Sequence, residues 1–164
     1  MTLVLNEIYL LTGGNQGDRR QELESACVHI EEQIGTIAEK SKIYETAAWG
    51  KTDQPSFLNQ VLKVSSPLSS QEVLKKIHQI ETYMGRVRKE RWAERNIDID
   101  ILYYNDDIIV CDHLKVPHPE LHNRRFTLYP LVELAPDFLH PVFNISNQKL
   151  LAQCPDQCEV KVYK

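Results

Sequence analysis

Asp98 and Asp100 stand two residues apart in Asn96-Ile97-Asp98-Ile99-Asp100-Ile101, a run that alternates carboxylate and isoleucine. On a strand this alternation sends both carboxylates to one face, about 6.6 Å apart along the chain, with Ile97, Ile99 and Ile101 on the other. A slip of one residue would bury both acids, so the register is firm. Two carboxylates at this spacing suit one or two Mg²⁺ ions, which take a few carboxylate oxygens and complete their shells with water and phosphate. Just upstream, residues 86–95 hold Arg86, Arg88, Lys89, Arg91 and Arg95 against Glu90 and Glu94, a local charge of +3. Metal-holding acids beside arginines are the combination that phosphoryl transfer uses to spread developing charge over phosphate oxygens. The plainer reading is a solvated loop whose arginines pair with an acidic strand face.

The formal net charge of the 164 residues is −4, so the remainder outside 86–95 carries −7. That balance disfavours a general nucleic-acid or membrane-surface binder, yet leaves room for an anionic small molecule at a local cationic cluster. With 42% hydrophobic and 26% charged residues the composition is that of a folded domain. The expected organisation is one domain over residues 1–164. No apolar run approaches the roughly 20 residues of a membrane span, and no secretory pattern opens the chain. A cytoplasmic protein with Cys27, Cys111, Cys154 and Cys158 reduced is therefore expected. Cys154 and Cys158 have no second Cys or His pair at zinc-like spacing, and prolines flank His118, so His118 and His122 do not form a helical metal pair.

The elements that must carry these groups can be read in order. A buried strand over about Glu7–Thr12 runs into the turn Gly13-Gly14-Asn15-Gln16-Gly17, and Asp18 caps a helix with Leu23, Cys27, Ile30 and Ile34 on one stripe. The turn could offer amides to phosphate, but it lacks the Gly-Lys-Ser/Thr ending of a P-loop. Strands follow over about Ile37–Tyr44 and Phe57–Val64. Ser69 and Glu72 form a capping box for a helix striped by Val73, Leu74, Ile77, Ile80 and Met84 and stopped at Gly85. The Ile97–Tyr104 strand completes β-α-β-β-α-β. The expected class is α+β, a ferredoxin-like βαββαβ antiparallel sheet with a helix layer on one face. A short hairpin, a Pro-rich loop and helical pieces near 128–134 and 148–153 are added at the C-terminal end.

Four separated pieces together resemble the 6-hydroxymethyl-7,8-dihydropterin pyrophosphokinase family. They are Gly13-Gly-Asn-Gln-Gly-Asp18; Tyr44-Glu-Thr46 with Gly50 and Asp53-Gln-Pro-Ser-Phe-Leu-Asn59; Glu81 through Asp100; and Val116-Pro-His-Pro119 with Arg124, Phe126, Pro130-Leu131, Ala135-Pro136 and His140-Pro141. The resemblance spans about Tyr9–Pro141. It implies transfer of the ATP pyrophosphoryl group to the pterin hydroxymethyl oxygen, with release of AMP, in folate biosynthesis. It implies Asp98 and Asp100 as ligands of two Mg²⁺ ions, and Arg86 and Arg95 as the arginines on the transferring phosphates. Glu81, Arg88, Arg91, Trp92, Ile101, His118 and Arg124 would surround ATP; Thr46, Trp49, Phe57, Asn59 and Phe126 would form the pterin pocket. Phe57 and Phe126 can sandwich a flat bicyclic ring, and Asn59 can both donate to and accept from its amide-like edge. The chain departs from the family pattern at Gly14, Ala47, His78 and Ala93-Glu94.

The mechanism expected from the resemblance is in-line attack by the pterin hydroxyl on the β-phosphorus, without a covalent enzyme intermediate. Segments 45–56 and 85–95 are expected to close over both substrates and exclude water. A ferredoxin-like RNA-binding module is a rival, but the chain lacks the RNP1 aromatic-glycine strand signature, and Asp98 and Asp100 would repel phosphates on the sheet unless a metal intervened. A different Mg²⁺-dependent phosphotransferase or nuclease is a second rival, opposed by the Thr46–Asn59 motif. The expected partners are ATP and 6-hydroxymethyl-7,8-dihydropterin, with no nucleic acid and no membrane, and a monomer is the default assembly.

Overall fold

A computed structural model describes residues 3–47, 54–85 and 96–164. The central strand is β1 (Asn6–Gly14), apolar through Ile8, Tyr9, Leu10 and Leu11 and buried along most of its length. It pairs antiparallel with two strands, β4 (Phe57–Ser66) and β5 (Asp98–Tyr104). On the far side of β4 lie β2 (Thr36–Lys40) and β3 (Tyr44–Thr46), where one continuous strand was expected. The break falls at Ser41. Its N–H donates to Val61 O at 2.9 Å, but its hydroxyl, not a carbonyl, accepts from Val61 N at 2.9 Å. A side chain thus takes a place in the ladder, and the backbone re-enters the sheet a few residues later.

The helices α1 (Arg19–Gln33) and α2 (Ser70–Tyr83) begin as the capping residues require. Asp18 accepts from Gln21 N at 3.1 Å. Ser69 Oγ accepts from Glu72 N at 3.2 Å while Glu72 Oε2 accepts from Ser69 N at 2.8 Å, a complete capping box. Gly85, with φ +85°, takes the left-handed conformation that ends the second helix. Leu23, Ala26, Cys27 and Ile30 from α1 and Val73, Ile77 and Ile80 from α2 pack on one sheet face against Ile8, Leu10, Leu58, Leu62, Ile99 and Ile101.

The helices do not stop at one face, which corrects the single helix layer expected from the sequence. The opposite face buries Tyr9, Leu11, Val61, Leu102 and Tyr103 under α3 (Arg125–Leu134) and α4 (Asn147–Gln153). Leu102 and Tyr103 share that face because the β1–β5 register shifts between Tyr9 and Leu10, leaving Leu102 as an extra residue. A sheet covered on both faces has strands that read as continuous apolar runs, as residues 8–11 in β1 and 101–104 in β5 do. A hairpin of β6 (Ile109–Val110) and β7 (Lys115–Val116) stands beyond β5, and β8 (Lys161–Val162) adds to β3 at the other edge. No described helix is long and apolar enough to cross a membrane.

Candidate functional site

The sheet register determines which side chains share a face. Tyr44 pairs with Asn59, Asn59 with Gly13, and Gly13 with Asp98, so these four residues form one row across β3, β4, β1 and β5. Leu11 lies opposite both Val61 and Asp100, and both apolar members belong to the core under α3. Thr46 pairs with Phe57 in the next row outward. Asp98, Asp100, Asn59, Phe57 and Thr46 therefore all project from the α3 face, where β-strand alternation puts residues two apart on the same side. Gly13 keeps the middle of this surface low: a Cβ there would collide with Asn59 Oδ1 and stand 3.1 Å from Leu58 O. Asn59 and Thr46 are buried, whereas Phe57, Asp98 and Asp100 are half-buried.

A cleft of about 300 Å³ opens beside the acids along the outer edge of β5. Its walls include Glu81 and His78 from α2, Asp98, Asp100 and Ile101 from β5, and His118 from the segment after β7. Glu81 is buried, and its Oε2 accepts from Ile99 N at 2.9 Å, satisfying an amide on the edge strand. Ile101 contributes to the wall while also packing in the helix-side core.

His118 is held in one tautomer. Its Nδ1 accepts from Glu120 N at 3.1 Å, so a neutral ring carries its proton on Nε2, which lies 4.0 Å from Asp100 Oδ2. Burial, and then the Arg124 guanidinium, push its pKa down to about 4 against the pull of Asp98 and Glu120. At neutral pH His118 is thus an uncharged N–H donor at the cleft. Arg124 immediately precedes α3, and its guanidinium lies 5.7 Å from the centre of the Phe126 ring. Phe126 packs at the edge of the second core, on a helix that rests over β3 and β4.

Glu81, Asp98, Asp100, Ile101 and His118 thus gather at the cleft, and Thr46, Phe57 and Asn59 lie on the adjoining sheet face, with Arg124 and Phe126 at the start of the helix above it. Trp49, Arg86, Arg88, Arg91, Trp92 and Arg95 lie outside the described residues, as do 48–53 of segment 45–56 and 86–95 of segment 85–95. Glu45 and Thr46 belong to β3, so the first of those segments begins as strand. Sequence reasoning missed another part of the cleft wall, formed by Asp112, His113 and Leu114 of the β6–β7 turn and by Lys115 at the start of β7. Its signal was slight: Cys111-Asp112-His113 between the short pieces Ile109-Val110 and Leu114-Lys115-Val116.

Comparison with known proteins gives these groups a context. Residues 9–136 match the family model described as 7,8-dihydro-6-hydroxymethylpterin-pyrophosphokinase. A 2-amino-4-hydroxy-6-hydroxymethyldihydropteridine pyrophosphokinase of Aquifex aeolicus is 44% identical over 136 residues, covering 83% of this chain and 84% of the relative. One from Haemophilus influenzae is 35% identical over 155 residues, covering 94% and 96%. The folic acid synthesis protein FOL1 of Dictyostelium discoideum is 40% identical over 92% of this chain, which spans only 23% of that longer protein. In fold, the chain is similar to a Plasmodium falciparum HPPK-DHPS crystallised with pteroate, at TM-score 0.74 and 18% identity, over 92% of this chain and 42% of that one. The protein is therefore an enzyme of the pyrophosphokinase class. More narrowly, the chain belongs to the 7,8-dihydro-6-hydroxymethylpterin-pyrophosphokinase family.

Proposed function

We propose that the protein transfers the pyrophosphoryl group of ATP to the hydroxymethyl oxygen of 6-hydroxymethyl-7,8-dihydropterin, giving AMP and the pterin diphosphate for folate biosynthesis. The observation that carries this reading is the shared face: the acid pair Asp98/Asp100 and the pterin-side residues Thr46, Phe57 and Asn59 project together, separated only by side-chain-free Gly13. Asn59 then meets the polar edge of the pterin, Phe57 and Phe126 offer ring faces, and the hydroxymethyl group is directed along the row toward Asp98. ATP takes the cleft beyond β5, its phosphates toward the acids, with neutral His118 donating from Nε2 and Arg124 supplying positive charge beside it.

Asp98 and Asp100 fit Mg²⁺ by donor chemistry, as two half-buried carboxylates side by side on a cleft wall. No group of three or more Cys, His, Asp or Glu suited to a metal occurs among the described residues. When bound, Mg²⁺ would neutralise phosphate charge as the β-phosphorus is attacked. The chain itself aligns the two substrates for in-line displacement, converting a bimolecular encounter into one within a complex. Arg86 and Arg95 are assigned to the transferring phosphates and Glu81, Arg88, Arg91, Trp92 and Ile101 to the rest of ATP, with Trp49 and Thr46 completing the pterin side. The same reading takes the chain as one monomeric cytoplasmic domain, which gel filtration at about 19 kDa would check. Phosphorus NMR of a mixture of protein, ATP, Mg²⁺ and the pterin tests the chemistry. AMP and a pterin diphosphate are expected together, while ADP with a pterin monophosphate would reject pyrophosphoryl transfer.

A further inference from the structure

The chain continues past the matched residues 9–136, and its last segment returns to the candidate pterin pocket from outside. Helix α3 begins at Arg125, and its cap residue Arg124 supplies no side-chain cap. The missing acceptor comes from the far end of the chain. Asp156 Oδ2 accepts from Arg125 N at 3.0 Å, and its Oδ1 accepts from Cys158 N at 2.9 Å, which shapes the turn that presents it. The carboxylate thus meets a first-turn amide and the positive end of the helix dipole together. Burial would raise the Asp156 carboxyl, but the Cys158 and Arg125 amides outweigh it and hold it below its usual range. Arg125 closes the contact from its own side: Nη1 donates to Cys158 O at 3.1 Å, Nη2 donates to Tyr129 Oη at 2.6 Å, and the guanidinium lies 5.1 Å from the Tyr129 ring centre.

A few residues on, the same segment grips the sheet edge. Strand β8 pairs with β3, Val162 opposite Tyr44 and Lys161 opposite Glu45, and Tyr163 N donates to Ile43 O at 2.8 Å. Arg19 lies 5.5 Å from the Tyr163 ring centre and donates from Nη1 to Glu45 Oε2 at 2.6 Å and to Ser56 O at 2.8 Å. Segment 154–163 therefore fastens both elements that border the pocket: α3, which carries Phe126 beside Arg124, and β3, which carries Thr46. Through Arg19 it also reaches the residue before Phe57.

We propose that residues 154–163 form a strap that positions the pterin pocket, with Asp156 setting the placement of Arg124 and Phe126 through the Arg125 amide between them. The inference rests on the functional reading above. Asp156 touches neither substrate; it is a positioning residue. The test compares the unmodified protein with D156A, D156N and a deletion of residues 160–164. Pterin affinity is followed by fluorescence titration beside a non-hydrolysable ATP analogue, and exchange of the Arg125 amide by NMR. In D156A the Arg125 amide should lose protection and the pterin Kd should rise about tenfold. D156N keeps one carbonyl oxygen but sets a donor NH2 against the other amide and loses the charge, so it should recover only part of both. The deletion should weaken pterin several-fold while analogue affinity stays within about twofold, since β3 borders the pterin side alone. Unchanged pterin affinity in D156A and the deletion, with only a lower Tm, would overturn the strap. Failure of the unmodified protein to bind pterin would instead sink the functional reading and the strap with it.

Discussion

Gly13→Ala is the sharpest probe of the shared face. Strand β1 is paired on both sides at this position, to Asn59 and to Asp98, so the backbone cannot retreat from an added methyl. The atoms nearest that methyl are Asn59 Oδ1, Asn59 Cγ and Leu58 O, none of them from Asp98. Asn59 must therefore rotate away, and overpacking of this kind costs about 1–3 kcal/mol of stability. In binding, a displaced amide leaves pterin donors and acceptors unmatched, at about 1–3 kcal/mol, or about 5- to 150-fold in Kd. Titration of pterin fluorescence in the presence of an ATP analogue measures this directly. N59A should cost a similar amount, and G13A added to N59A should cost little more, because both act through one side chain. Full additivity of the two losses, or pterin affinity untouched in G13A, would refute the assignment of Asn59 to the pterin edge.

Other consequences are as direct. Asp98→Ala should reduce turnover by about 100-fold or more with little change in Tm, since the side chain is half-buried on the cleft wall; near-normal turnover would reject a metal-ligand role. Ser69→Ala removes one half of the capping box and should cost about 1 kcal/mol, or about 2–4 °C in Tm, by thermal melting. Burial holds His118 and His140 at about 4, aided by Arg124 and His122 respectively, while the unfolded chain titrates near 6.5. The unfolded state therefore binds more protons between those values, so stability is full above about pH 6.5 and falls as pH drops toward about 4. His140→Asn should flatten that slope in urea melts at a series of pH values, and an unchanged slope would exclude His140 as a contributor.

The local parts of this fold were legible because local rules govern them. Asp18, Ser69, Glu72 and Gly85 mark helix ends by their own hydrogen bonds and dihedrals, and the isoleucine–aspartate alternation marks β5 and its two faces. What escaped depends on distant partners. The break at Ser41 arises from its hydroxyl bonding across to Val61, the shifted face of Leu102 from pairing with β1, and the two-residue β8 from an edge offered by β3. For the site, the resemblance named residues such as Asn59 and His118 but could not say how they stand. That Asn59 and Asp98 flank Gly13 follows from the order β5-β1-β4, and that His118 is a neutral Nε2–H donor follows from Glu120 N and from burial.

The central claim is that one sheet face and its bordering cleft join ATP to a pterin through pyrophosphoryl transfer. The most direct measurement is the initial rate of AMP release from ATP as 6-hydroxymethyl-7,8-dihydropterin is titrated in, with Mg²⁺ and with Mg²⁺ removed by chelation. The account predicts AMP formation that saturates with pterin, equals the pterin diphosphate formed, and disappears on chelation. AMP release indifferent to pterin, or none at all with Mg²⁺ and both substrates present, would contradict it.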